Sequence, residues 1–252
     1  MTVISLLLIL ILLIAGIVNN TTVKNKTTEK LRSGIEKYNN NDYEGAIADY
    51  TQIIKLNPNY AIAYHNRGSV KNNIQDYQGA IEDFNKAIEL DPNYIDTYFN
   101  RGTAKFELHD YEGAIADYDQ IIKLNPNDED AYCKRGLAKT ELRDNEGAIK
   151  DFTKAIKLNS NNANTFYFRG LAKSNLKDYS AANEDYTQAI KLNPNFIRAY
   201  FFRALDKDSL KNYKEALLDY EMALKLSKEQ NDAEFFHMSS EAIKAIQIKL
   251  NK

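Results

Sequence analysis

The chain has 252 residues, with 33 Lys and Arg against 35 Asp and Glu, a formal net charge of −2 and a single cysteine, Cys133. Near-neutral charge gives no broad electrostatic case for nucleic acid or an acidic membrane surface, and one thiol excludes an intrachain disulfide framework and a cysteine-rich metal site. Taken from the N-terminus, Val3 to Val18 are apolar except for Ser5 and Gly16. As a helix with Met1 and Thr2 they reach ~27 Å, near the hydrocarbon thickness of a bilayer, so residues 1–18 are expected to form one transmembrane helix. A cleaved signal peptide is the competing reading. It lacks a basic n-region, and Ile14 stands where a cleavage signal needs a small residue. Lys24, Lys26, Lys30 and Arg32 all lie downstream of the apolar run. That asymmetry places the repeats on the cytoplasmic side if the anchor is retained, and outside the cell or in the periplasm if it is cleaved. Residues 19–26 read as a short polar linker.

From Thr27 to Gln230 the sequence repeats every 34 residues, six times without insertion (27–60, 61–94, 95–128, 129–162, 163–196, 197–230). Aligned blocks give a small-residue column of Gly34, Gly68, Gly102, Gly136, Gly170 and Ala204, and an alanine column of Ala46, Ala80, Ala114, Ala148, Ala182 and Ala216. Four residues after each alanine stands a ring: Tyr50, Phe84, Tyr118, Phe152, Tyr186, Tyr220. Proline closes four blocks, at Pro58, Pro92, Pro126 and Pro194, where it stops a helix. Mid-block, Asp42, Asp76, Asp110, Asp144, Asp178 and Asn212 are placed to cap a second helix. A fixed period of this length is the mark of stacked helical hairpins, each leaning on its neighbours for burial. Residues 231–252 then form a cap helix, with Phe236, Ile243, Ile246 and Leu250 near helical spacing.

These columns resemble the tetratricopeptide repeat over roughly four-fifths of the chain, as in Ala61-Ile62-Ala63-Tyr64, Gly68, Ala80-Ile81, Phe84, Ala87 and Asp91-Pro92-Asn93. The resemblance implies an all-α fold: a right-handed α-solenoid of six helix-turn-helix repeats. It also implies that the first helices line a concave surface that receives a partner's peptide or helix. Carried onto this chain, the partner-binding groove comprises His65, Asn66, Ser69, Phe99, Asn100, Thr103 and Phe106 in the N-terminal half. In the C-terminal half it comprises Cys133, Lys134, Leu137, Tyr167, Phe168, Leu171, Arg198, Phe201 and Phe202. One ring of each adjacent pair, Tyr167 with Phe168 and Phe201 with Phe202, is a candidate to pack between hairpins instead. Capture of a chaperone tail's carboxylate is disfavoured. Asn66, Asn100, Lys134 and Arg198 match that mode in part, but His65 takes its key lysine place and Ser69 its companion asparagine place.

Two columns depart from the family's pattern, and a third is aspartate in every block. Arg67, Arg101, Arg135, Arg169 and Arg203 precede the small residue, with Ser33 in the first block. Lys37, Lys71, Lys105, Lys139, Lys173 and Lys207 come one turn later, and Asp49, Asp83, Asp117, Asp151, Asp185 and Asp219 sit beside the ring column. Cations four apart on one helix face need an anion between them. Because the first block has Asp49 but no arginine, pairing between blocks, Asp49 with Arg67 onward and Asp219 left to His237, is favoured over pairing within a block, Arg67 with Asp83 onward, which would strand Asp49.

No catalytic residue, metal site or cofactor is expected. His65, His109 and His237 fall in separate blocks without ligand partners at helical spacing, the glycines keep the period of the repeat, and Cys133 has no basic partner. The functional expectation is a membrane-tethered protein-interaction adaptor. An exported repeat protein of the cell envelope and a purely structural spacer or oligomerising stack are the alternatives.

Overall fold

A computed structural model describes the backbone of residues 3–251 and the side chains of residues 21–251. The described residues form thirteen helices and no strand. They are α1 (Val3–Asn39), α2 (Tyr43–Leu56), α3 (Ala61–Asn73), α4 (Tyr77–Leu90), α5 (Ile95–Glu107), α6 (Tyr111–Leu124), α7 (Glu129–Glu141), α8 (Asn145–Leu158), α9 (Ala163–Asn175), α10 (Tyr179–Leu192), α11 (Ile197–Ser209), α12 (Tyr213–Glu229) and α13 (Ala233–Leu250). The side chains of residues 1–18, expected as a membrane anchor, lie outside the described ones. Among the described residues no helix is long and apolar enough to cross a membrane. Thr21 to Lys26, read as a linker, are helical and run directly into the first repeat, since neither Pro nor Gly interrupts the chain between Gly16 and Gly34.

Residues 1–120 and 121–252 are two compact units. In the first, α1 packs on α2, α2 on α3, α3 on α4 and α4 on α5; in the second, each helix from α7 to α13 packs on the next. First helices of successive hairpins also touch within a unit, α3 with α5, α7 with α9, α9 with α11, and α11 with α13.

Each hairpin is punctuated the same way. The first helix closes when one residue adopts a left-handed conformation: Asn41, Gln75, His109, Arg143, Lys177 and Lys211 all have φ of 61–65°. In the second hairpin this turns the Gln75 N–H onto the Asn72 carbonyl (3.0 Å) and the Asp76 N–H onto the Lys71 carbonyl (2.9 Å), satisfying carbonyls that the helix end leaves free. The next residue caps the second helix. Asp42, Asp76, Asp110 and Asp144 accept from the N–H of Gly45, Gly79, Gly113 and Gly147 at 2.9–3.0 Å, and Asp178 from Ala181 at 3.2 Å. Asn212 departs from the expectation and makes no side-chain cap.

The small-residue column exists because of the ring column. A methyl added at Gly68, Gly136 or Gly170 would stand 2.7–2.8 Å from the ring of Phe84, Phe152 or Tyr186, all fully buried. Each such ring contributes roughly 2–3 kcal/mol on burial, so the glycine is what lets the two helices of a hairpin close on it. The cap helix packs on the expected Ile243, Ile246 and Leu250, but Phe235 takes the place expected of Phe236. Phe235 and Ile246 are buried against Phe201, Tyr220 and Leu226, with Ile243 and Leu250 partly buried, while Phe236 is exposed. Asp232 sets that phase by accepting from the Phe235 N–H (3.1 Å).

Candidate partner-binding groove

What fixes the first-helix faces is the charged ladder, and its register is the reverse of the expected one. Asp83 is held by Arg67 (2.6 Å) and Lys71 (2.8 Å) of its own hairpin. Arg101 and Lys105 hold Asp117, Arg135 and Lys139 hold Asp151, and Arg169 and Lys173 hold Asp185 in the same way. Asp219 is held by Arg203 (2.6 Å) and Lys207 (2.8 Å), while His237 is exposed and takes no part. The aspartates are buried, so a carboxylate there needs both cations, and the facing helix of its own hairpin is the one within reach.

Neighbouring hairpins are joined by the arginines' third nitrogen. Nη1 of Arg67 donates to Thr51 (3.0 Å), that of Arg101 to Asn85 (2.7 Å), that of Arg169 to Thr153 (3.1 Å) and that of Arg203 to Thr187 (3.0 Å). Each acceptor lies two residues beyond the preceding block's aspartate. The guanidinium also lies over the ring three residues earlier, Tyr64, Tyr98, Phe166 or Tyr200, at 5.5–5.8 Å.

The first block solves its missing arginine by a paired exchange. Where later blocks carry that ring, it has Lys30, which reaches Asp49 at 2.8 Å beside Lys37 (2.6 Å) and the Ser33 hydroxyl (2.6 Å). Burial pushes the Asp49 carboxyl up, but the hydrogen bonds from Lys30, Lys37 and Ser33 outweigh it and hold it at about 2. Lys30 is a ladder residue that the sequence reading missed. Its signal is a cation in the ring column of the one block that lacks the arginine.

In the first unit the expected groove residues split into buried and presented sets. His65 is buried, shares a 2.9 Å hydrogen bond with Thr97 and lies 4.5 Å from the Tyr94 ring. Burial pushes its pKa down, against a smaller upward pull from Asp96, so it supplies no cation to a ligand. Asn66, Ser69, Phe99, Asn100, Thr103 and Phe106 are partly exposed. Ser69 donates to the His65 carbonyl (3.0 Å) and accepts from Asn100 (3.2 Å), Thr103 donates to the Phe99 carbonyl (3.0 Å), and Phe99 packs edge-on against Tyr118.

In the second unit the adjacent rings separate cleanly. Tyr167 and Phe201 are buried: Tyr167 lies among Tyr186, Phe196 and Phe202, and Phe201 between Tyr220 and Phe235. They are core residues and leave the groove assignment. Burial pushes the Tyr167 hydroxyl up to about 12, with Arg198 pulling the other way. Phe168 and Phe202 remain partly exposed, with Leu137 and Leu171 on the same first-helix face and Leu205 42% exposed. Cys133 is partly buried with its sulfur 3.8 Å from the Thr165 hydroxyl, and burial raises its thiol pKa while that contact lowers it, so it is a poor nucleophile. Lys134 is partly exposed, and Arg198 is exposed with its guanidinium 5.8 Å from the Phe235 ring. No cluster among the described residues has the donors for a metal ion.

The architecture and its columns have counterparts among known proteins. A TPR repeat model matches residues 34–75, 73–109 and 102–142, and a tetratricopeptide repeat model matches residues 129–162 and 163–196. Comparison with curated protein sequences returns no significant match. Among solved structures, MamA is similar at 27% identity over 66% of this chain and 96% of its own, with a TM-score of 0.63. YrrB, described as a TPR protein with an unusual peptide-binding site, aligns at 19% identity over 77% of this chain and 97% of its own, with a TM-score of 0.64. A tetratricopeptide repeat protein from Parabacteroides merdae aligns at 18% identity over 88% and 93%, with a TM-score of 0.70. At those last two identities the likeness speaks for the fold alone. The 34-residue hairpins, the glycine–ring contacts and the family matches from residue 34 to residue 196 together place this chain in the tetratricopeptide repeat family.

Proposed function

We propose that this protein is an adaptor whose first-helix faces bind an extended peptide or a helix of a partner protein, and that residues 1–18 tether it to a membrane. Repeats of this family serve protein–protein interaction, and the peptide-binding site named for YrrB supports a peptide as the ligand class. The observation that carries the reading is the apolar strip of Phe168, Leu171, Phe202 and Leu205, which stays partly exposed although its neighbours Tyr167 and Phe201 already fill the core. Partly exposed rings on a stiff face anchor apolar side chains without ordering cost to the face itself. The first unit offers a different chemistry, amides and hydroxyls from Asn66, Asn100, Ser69 and Thr103, suited to a ligand's backbone groups.

A displayed random-peptide library panned on the protein tests the groove. Enrichment of peptides with apolar anchors, lost when Phe168 and Phe202 are both changed to alanine, is the expected result; equal enrichment on the double variant sinks the assignment. The tether is tested separately, by the mass of the protein recovered from cells and by impermeant-maleimide labelling of Asn161→Cys, an exposed loop position, in a Cys133→Ser background. Retention of residues 1–18 with labelling only after lysis supports a cytoplasmic tethered adaptor. A shortened mass with labelling of intact cells overturns it in favour of an exported protein.

A further inference from the structure

One position in the second unit puts a carboxylate where the four preceding blocks bury an apolar side chain; the first block has Glu36 there, which is exposed. Val70, Ala104, Ala138 and Ala172 are fully buried on their first helices, and the sixth block has Asp206 there, 2% exposed. Its Oδ1 accepts from the Ser174 hydroxyl of α9 (2.7 Å), and its Oδ2 is buried without any partner. The hydroxyl of Tyr186, on α10, is likewise buried and unpartnered. Asp206 and Ser174 both act on the Tyr186 hydroxyl, so the two orphans lie near one another in the contact between the fifth and sixth hairpins.

The charged groups around it are already committed. On α11 itself, Lys207 is held by Asp219, and Asp208 by Lys249 of α13 (2.6 Å). On α9, Lys173 is held by Asp185 of α10. From α12 the buried ring is Tyr220, whose hydroxyl is pushed up by burial and by Asp208 and Asp206. No cation reaches Asp206, which separates it from every aspartate of the ladder.

We propose that Asp206 is a built-in proton switch: protonated, it closes the α9–α11 contact as a neutral acid, and ionised, it loosens the contact between the fifth and sixth hairpins. A neutral carboxyl still accepts from Ser174 and leaves no charge in the buried site, so it is tolerated there; a carboxylate with one lone oxygen is not. Burial pushes the group up to about 6, with the Ser174 hydrogen bond pulling slightly back. That direction sets the sign. The unfolded chain gives up the proton near pH 4 and the folded chain near pH 6, so stability is fully present below the first value and is lost as pH rises towards and past the second.

The test compares the full chain with Asp206→Ala, which restores the column, and Asp206→Asn, which keeps the shape, by urea unfolding at about pH 5 and about pH 7.5. The ratio of the wild-type folding constant to that of either variant should fall by about 10-fold across that interval. Hydrogen exchange over residues 170–212, corrected for intrinsic rates, should accelerate with pH in the wild type more than in either variant. Parallel pH profiles for all three proteins, or exchange in this segment that rises equally in all three, would overturn the proposal.

Discussion

Arg67 grips Asp83 with two nitrogens, Nε at 2.9 Å and Nη2 at 2.6 Å, while its remaining nitrogen bonds Thr51 of the hairpin before. The carboxylate is therefore satisfied inside one hairpin, and what Arg67 sends to the hairpin before is a bond to a neutral hydroxyl. Asp83→Asn should cost roughly 3 kcal/mol in urea unfolding, because it strands Arg67 and Lys71, both less than 20% exposed. Thr51→Val should cost only about 1 kcal/mol. Equal costs would show that the ladder's strength lies between hairpins after all.

Asp49 ties acid stability to the first hairpin. Its carboxyl is held at about 2, below its unfolded value near 4, so its contribution is present at neutral pH and is lost as pH falls through the folded value. Two units correspond to roughly 2–3 kcal/mol. Lys37→Met removes one of the three donors, and the acid-unfolding midpoint followed by circular dichroism should move to higher pH. An unchanged midpoint would mean that Asp49 is not among the groups that set acid stability.

The hairpin turns carry strain that substitution can relieve. Arg143 and Lys177 occupy the left-handed region, at φ of 61° and 64°, where a side chain is unfavourable and glycine is not. Both are exposed. Arg143→Gly should raise stability by about 0.5–1 kcal/mol, net of the entropy that glycine adds to the unfolded chain. A loss of stability in a denaturant melt would show that the Arg143 side chain contributes more than its backbone costs.

Glycine is wanted for the opposite reason at Gly136, where a methyl would meet the Phe152 ring at 2.8 Å. Gly136→Ala should destabilise by about 1–3 kcal/mol through overpacking. The double change Gly136→Ala with Phe152→Leu should recover part of that loss. Additive costs in a double-mutant cycle would refute the direct contact.

The adjacent rings of the second unit should behave as two classes. Tyr167→Ala and Phe201→Ala remove buried rings and should each cost about 3–5 kcal/mol. Phe168→Ala and Phe202→Ala, at partly exposed positions, should cost less than half as much in the same unfolding assay. Four similar values would erase the division between core and groove.

Local and repeated features were readable from the chain. The period, the aspartate caps and the glycine–ring columns each depend on residues a fixed few positions apart. The ladder's register was not, because an aspartate sixteen residues from one arginine and eighteen from the next is nearly equidistant in sequence. Only the tilt of the helices decides, and Ser33 misdirected the choice while Lys30 went unnoticed. The split of Tyr167 from Phe168 did have a signal. Tyr167 and Phe201 share a column with His65, Phe99 and Cys133, and that column touches the next hairpin at His65–Thr97 and Cys133–Thr165, although Phe99 in it stays partly exposed. In the cap helix only the first position was misread: Ile243, Ile246 and Leu250 pack as their spacing implies, while Phe235, whose N–H Asp232 caps, is buried in place of Phe236.

Charge closure inside each hairpin bears on how such an array can change length. Where the acceptor between blocks is Thr51, Asn85, Thr153 or Thr187, losing or duplicating a 34-residue block leaves each ladder aspartate with its own two cations, and what is laid bare is a neutral side chain that water satisfies equally well. A ladder registered between blocks would instead leave an unpaired ion at every cut. The arrangement makes the hairpin the unit of inheritance as well as of packing, so that recombination between blocks yields longer or shorter proteins that still fold.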